Sequence, residues 1–132
     1  MKTDELSFTE LIIILIVIAY DNEAMPINHD CWNPIIRRLK DVGAKMKQAP
    51  TCLKKMRLPD SPDCEPEDLC EAFDTLRTSS SVEIIMPSRR DYVNAGIVDH
   101  WRKKNASHIK EMPVFLDMAT RIIKSEWAKV NQ

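Results

Sequence analysis

The sequence predicts an all-α protein, with one domain built as a bundle of four helices. Apolar residues recur at helical spacing in four segments, and prolines lie at or near their ends. The chain has 132 residues but only two glycines, which argues against Gly-rich phosphate loops and turn-rich β-sandwiches. The connector after the first helix has about 15 residues, so the first two helices can run parallel, as in an up-up-down-down bundle.

An apolar run near the N-terminus precedes the predicted bundle. Leu11–Tyr20 is uninterrupted over ten residues, whereas a membrane-spanning helix needs roughly 20. The length is typical of the apolar region of a signal peptide. We therefore predict a signal peptide over residues 1–24, cleaved after Ala24, and a bundle over residues 25–132. The alternatives are a buried strand and a short membrane anchor.

Cleavage at this position changes what the mature chain can do. It removes five acids and one lysine and shifts the net charge from −1 to +3. The full chain, at −1, carries no charge signal for nucleic acid. A small secreted domain has a small hydrophobic core and is usually stabilised by disulfides as well. We expect a secreted monomer whose mature part does not insert into membranes.

The first helix of the bundle is predicted to begin at Pro34, with Asn33 as its N-cap, and to end before Pro50. One face is apolar and the other is basic; the apolar residues are Ile35, Ile36, Leu39, Val42 and Met46. The connector Thr51–Glu65 is polar and Pro-rich, with a short extended piece expected at Cys52–Leu58.

The second helix is predicted to begin near Pro66, and its apolar stripe is Leu69, Cys70, Phe73 and Leu76. Val82–Met86 fits either the last turns of this helix or a short strand, and neither strand pairing nor a Rossmann pattern is expected. The third helix is predicted from Ser88, which resembles a capping-box residue, to Lys104. Asn105–Met112 is expected to be a connector.

The last helix, Met112–Val130, has the most regular pattern in the chain. Pro113 fits its first turn, and a wide apolar stripe follows: Phe115, Met118, Ala119, Ile122, Ile123, Trp127 and Val130. Lys124 and Trp127 are three residues apart at the margin of this stripe, so they are neighbours on the helix surface. An aromatic beside a cation is typical of an interface; the alternative is that Trp127 completes the core.

All four cysteines, Cys31, Cys52, Cys64 and Cys70, follow the predicted cleavage site. Cys31 and Cys52 flank a helix whose ends lie roughly 20 Å apart, too far for a disulfide. Cys31 is therefore expected to pair with Cys64 or Cys70, and Cys52 with the other, which leaves no free thiol. Asn105–Ala106–Ser107 is the sole N-x-S/T sequence, and we expect a glycan on Asn105.

The sequence offers little for catalysis or metal binding. The cysteine spacings contain no C-x-x-C pair, and the three histidines form no ligand pattern with them. No serine or cysteine lies in a nucleophile motif. We expect a protein that is not an enzyme and carries no metal or other cofactor.

Several motifs resemble the interleukin-4/interleukin-13 family of short-chain helical cytokines. They are D-C-x4-I-x2-L at Asp30–Leu39, P-T-C at Pro50–Cys52, L-C-x-A-x3-L at Leu69–Leu76 and F-L-x5-I-x4-W/Y-x-K at Phe115–Lys129. The order and spacing carry the resemblance over most of the mature chain. The chain departs from the family because no cysteine follows Cys70, so the family's disulfide pattern does not transfer.

The resemblance implies a secreted cytokine that brings together a receptor alpha chain and a second signalling chain. It places receptor contacts at Arg37 and Lys40 on the first helix, where the Arg37 position meets the alpha chain, and at Lys124 and Trp127 on the last helix, which meet the second signalling chain. Arg37 stands where the family has a glutamate, which implies an alpha chain of reversed charge or a lost contact. The alternatives are a cytokine of the interleukin-2/15/21 or interleukin-3 kind, and an intracellular, membrane-tethered helical protein with reduced thiols.

Overall fold

Helices make up most of the described chain, which confirms the all-α class, and one short hairpin interrupts them. The computed structural model describes residues 6–19, 29–43, 45–59, 66–78, 82–85, 90–93 and 95–130. Its helices are α1 (Phe8–Ala19), α2 (His29–Arg38) with a π-helical extension (Leu39–Gly43), α3 (Thr51–Lys55), α4 (Glu67–Thr78), α5 (Ala95–Lys104), α6 (Ala106–Glu111) and α7 (Pro113–Val130). Strands β1 (Val82–Ile85) and β2 (Arg90–Val93) pair antiparallel, with Val82 opposite Val93.

Helix α1 is the most deeply buried element in the described residues. Its buried residues include five that are completely inaccessible: Leu11, Ile12, Ile14, Leu15 and Ile16. It packs against α4, α5 and α7. Ser7 and Glu10 form a capping box at its start, since Glu10 N donates to Ser7 Oγ at 3.1 Å and Ser7 N donates to Glu10 Oε1 at 3.3 Å.

The predicted cleavage of the chain after residue 24 stays a prediction. In the full chain, residues 6–19 share one hydrophobic core with α2, α4 and α7. A continuous apolar run suits the centre of a protein core as well as a signal peptide. Among the described helices, none combines the length and hydrophobicity needed to cross a bilayer.

Four elements differ from the predictions. Helix α2 begins at His29, so Asn33 and Pro34 lie inside it and not at its start. The expected first turns of the third helix form β2, which pairs with β1 and shows that the expectation of no strand pairing was wrong. The position of β1 confirms the short strand that was one of the two alternatives for Val82–Met86. The expected extended piece after Pro50 begins as helix α3, and the expected connector before α7 contains helix α6.

Helices α2 and α7 pack antiparallel. Arg38, late in α2, contacts Glu126 near the end of α7, whereas Gly43 lies against Phe115 and Met118 near the start of α7. A Cβ at position 43 would lie 2.9 Å from Phe115 Cε1 and 3.0 Å from Met118 Cε. Only a glycine therefore allows the end of the π-helical extension to approach α7 this closely.

We predict that Gly43→Ala lowers the free energy of unfolding by about 1–3 kcal/mol, because the added methyl overpacks the contact with the buried ring of Phe115. Urea unfolding followed by circular dichroism measures the change. Val42→Ala is the matched control, since Val42 is exposed in the same segment; we expect it to change stability by no more than about 0.5 kcal/mol. Equal stability of Gly43→Ala and the wild type would contradict the close packing.

Candidate functional site

The candidate site lies where the end of α2 meets the end of α7. Arg38 Nη1 donates to Glu126 Oε1 at 3.1 Å, and its contact with Ser125 Oγ is 3.5 Å long. Glu126 is only 8% exposed, whereas the Arg38 side chain is 43% exposed. Solvent screens such a pair, so we assign it a positioning role and only a small contribution to stability.

Gln48 fixes the opposite end of the same helix pair. Its Oε1 accepts hydrogen bonds from Val114 N at 2.9 Å and Phe115 N at 3.2 Å. Pro113 has no N–H, and Leu116 N donates to Met112 O at 3.0 Å. The three backbone donors in the first turn of α7 are therefore satisfied, two of them by a side chain from the loop after α2.

Lys40, a predicted receptor contact, binds within the protein. Its Nζ donates to Leu53 O at 3.0 Å and also to Lys54 O. Cations are favoured beside the unsatisfied carbonyls at a helix end, and here the ammonium ties α3 to the π-helical extension of α2. Two of the three Lys40 donors are committed to this contact, which leaves one for a partner.

The other three predicted contacts have different surroundings. Arg37 is half-buried, and its Nε donates to Asn33 Oδ1 at 3.2 Å, one turn earlier in α2. Lys124 is exposed on α7 and precedes Ser125, which Arg38 contacts. Trp127 lies in α7, but its side chain is outside the described part of the structure. The helix contact therefore brings Arg37 and Lys124 to one end of the α2–α7 pair.

Sequence reasoning missed Arg38, Gln48 and Glu126. Glu126 follows Ile122 by four residues and Ile123 by three, so it occupies a position of the apolar stripe. An acid on a buried face requires a partner, and this was the available signal for the ion pair with a basic residue of α2. No sequence pattern indicated that Gln48 would reach the first turn of α7.

The predicted glycan site is buried. Asn105 is 5% exposed, and its Nδ2 donates to Trp101 O at 3.0 Å. A glycan is attached through this same nitrogen, so an occupied site would require the side chain to leave the core. The packing therefore argues against a glycan on Asn105 in the folded chain.

The cysteine pairing expected from the sequence is not formed among the described side chains. Cys52 carries a free thiol in α3. Neither of its predicted partners, Cys64 or Cys70, is therefore bonded to it in this structure, which contradicts the predicted pairing of Cys52. The side chain of Cys31 and all of Cys64 lie outside the described residues, so the pairing of Cys31 stays a prediction. Burial is the main reason that the pKa of Cys52 rises from 9.0 to about 11, and the negative charges of Asp68 and Glu10 contribute to this rise.

The chain matches no known protein family, no curated protein and no solved structure. Within the described residues, no group of three or more His, Cys, Asp or Glu side chains is placed to hold a metal ion. The site therefore has to be interpreted from its own geometry, which is a set of cations at one end of an antiparallel helix pair.

We predict that Cys52 reacts slowly with iodoacetamide at pH 8 while the chain is folded. A pKa of about 11 instead of 9.0 lowers the thiolate fraction, and hence the labelling rate, roughly 100-fold. The raised pKa also means that its contribution to stability is complete below pH 9 and is lost as the pH rises towards 11.

Peptide mapping by mass spectrometry follows the rate at Cys52 separately from the other cysteines. Labelling in urea at the same pH supplies the control, and we expect it to be fast. Equal rates in the folded and unfolded states would contradict the burial of this thiol. Resistance to labelling in urea without reductant would instead show that Cys52 is in a disulfide.

Proposed function

We propose that the chain is a secreted helical cytokine that bridges two cell-surface receptor chains and triggers signalling, with immune regulation of the interleukin-4/interleukin-13 kind. The observation that supports this best is the antiparallel contact of α2 with α7. In an up-up-down-down bundle the first and last helices run in opposite directions by definition. Helices α2 and α7 have this relation, through Arg38 with Glu126 at one end and Gly43 with Phe115 at the other.

The exposed charges of this surface also support the proposal that the chain is a ligand for receptor proteins. Arg37 and Lys124 lie towards the same end of the helix pair, and Lys124 is exposed. Charged groups at the edge of an interface accelerate association and select partners by charge complementarity. In this proposal an alpha chain that met Arg37 would present acids to it, the reverse of the charge that the family's glutamate requires, and the second signalling chain would meet Lys124.

Secretion through a cleaved leader would change the core. Removal of residues 1–24 takes away α1 and uncovers the sides of α4, α5 and α7 that pack against it. The mature bundle would then close over this space, because exposed apolar surface of that size is costly. In this proposal the mature protein is a monomer that uses α2 and α7 for its receptors.

A second candidate is an intracellular helical protein that keeps α1 and its reduced thiols. Three observations favour it: the complete burial of five α1 side chains, the free thiol of Cys52, and the buried amide of Asn105. The capping box at the start of α1 also suits a helix that stays in the folded protein. The two candidates differ in whether residues 6–19 remain in the finished molecule.

We predict that animal cells expressing the full chain release a protein that begins at Met25 or a neighbouring residue. N-terminal sequencing and intact mass of the protein in the medium measure this, and the cell lysate provides the comparison. The proposal requires the medium to contain the shortened chain. Recovery of the protein only from the lysate, with residues 6–19 still present, would contradict secretion and support the second candidate.

A further inference from the structure

Residues 45–59 carry a strongly asymmetric charge. This stretch contains five of the chain's 19 Lys and Arg residues and none of its 20 Asp and Glu residues, and Asp41 and Asp60 are the acids that flank it. All five cations are exposed: Lys45, Lys47, Lys54, Lys55 and Arg57. We call these five residues the basic surface.

The basic surface is held on the domain by the residues between its cations. Gln48 caps α7, and Lys40 binds the carbonyls of Leu53 and Lys54. Leu53 and Met56 are buried in the core. The stretch is thus fixed by its inward-facing groups, and its ammonium and guanidinium groups point to solvent.

No cation of the basic surface forms an ion pair among the described residues. The described ion pairs join Arg38 to Glu126, Arg102 to Asp99, and Arg121 to Asp117. Asp68 and Glu10 are close enough for their negative charges to act on Cys52, which is half-buried in α3. Five exposed cations on one stretch that contains no acid attract anions with several charges.

We infer that the basic surface binds a sulfated polysaccharide chain. Four of the five cations are lysines, whose flexible ammonium groups bind single anionic oxygens without a fixed planar geometry. The stretch contains no aromatic residue on which a nucleic-acid base could stack. Its apolar residues are buried or half-buried, so it offers no exposed apolar or aromatic anchor for a protein partner.

The inference is independent of the proposed receptor contacts, because it uses different residues and a different class of partner. Binding to a polyanion releases condensed counterions, so affinity falls with salt in proportion to the number of cations engaged. The triple variant K54Q/K55Q/R57Q removes three of the five charges. It leaves the backbone carbonyl of Lys54, which accepts from Lys40, in place.

The test measures binding of the full chain to heparin between low and physiological salt. We expect wild-type protein to bind, and K54Q/K55Q/R57Q to bind at least about tenfold more weakly, with the slope of log affinity against log salt reduced by about three. K103Q/K104Q/K110Q is the matched control, since these three lysines are exposed and lie in α5 and α6. It should retain wild-type affinity, and heparin without sulfate groups should not bind.

Three results would overturn the inference. One is undiminished heparin binding by K54Q/K55Q/R57Q. Another is equal weakening by both triple variants, which would show attraction to net charge and not to this surface. The third is tighter binding to single-stranded DNA than to heparin under the same conditions, which would indicate a nucleic-acid partner. Thermal unfolding of each variant confirms that the compared proteins are folded.

Discussion

The antiparallel contact between α2 and α7 is the constraint on which the candidate site depends. It is held at three levels: Gln48 at the start of α7, Gly43 against Phe115 further along, and Arg38 with Glu126 near the other end. The contact of Gly43 with Phe115 requires that position 43 has no side chain. Because these contacts fix both ends of the pair, Arg37 and Lys124 lie at the same end of it although they are distant in sequence.

The second organising feature is α1, and it connects the fold with the question of where the protein acts. Fully burying a side chain such as Leu15 contributes about 1.5–3 kcal/mol relative to leaving it in water. A chain that keeps α1 gains this term for several residues, whereas a chain that loses it has to repack around α4, α5 and α7. A signal peptide and a buried core helix both require a run of apolar residues, so Leu11–Tyr20 is compatible with either.

Much of the helical pattern could be predicted from sequence, because apolar spacing depends directly on the period of the helix. The stripe of α7 is the clearest case, since Phe115, Ala119 and Ile123 are buried as expected. The capping box at Ser7 and Glu10 could also have been predicted, because S-x-x-E before an apolar run is its sequence pattern. It was not predicted, because this segment was interpreted as a signal peptide. The hairpin and the Gln48 cap depend on contacts between distant segments, which local patterns do not contain. Lys40 could be recognised as a cation but not as a ligand of α3 carbonyls.

The most direct test of the receptor-ligand proposal is cell binding by charge-reversal variants at the end of the α2–α7 pair. Fluorescently labelled protein, recovered from the medium of expressing cells, is titrated onto blood leukocytes. The account predicts saturable binding that Arg37→Glu combined with Lys124→Glu weakens at least about tenfold. Lys103→Glu combined with Lys104→Glu reverses two exposed charges on α5 and should bind as the wild type does. No saturable binding, or equal loss in both double variants, would contradict the account.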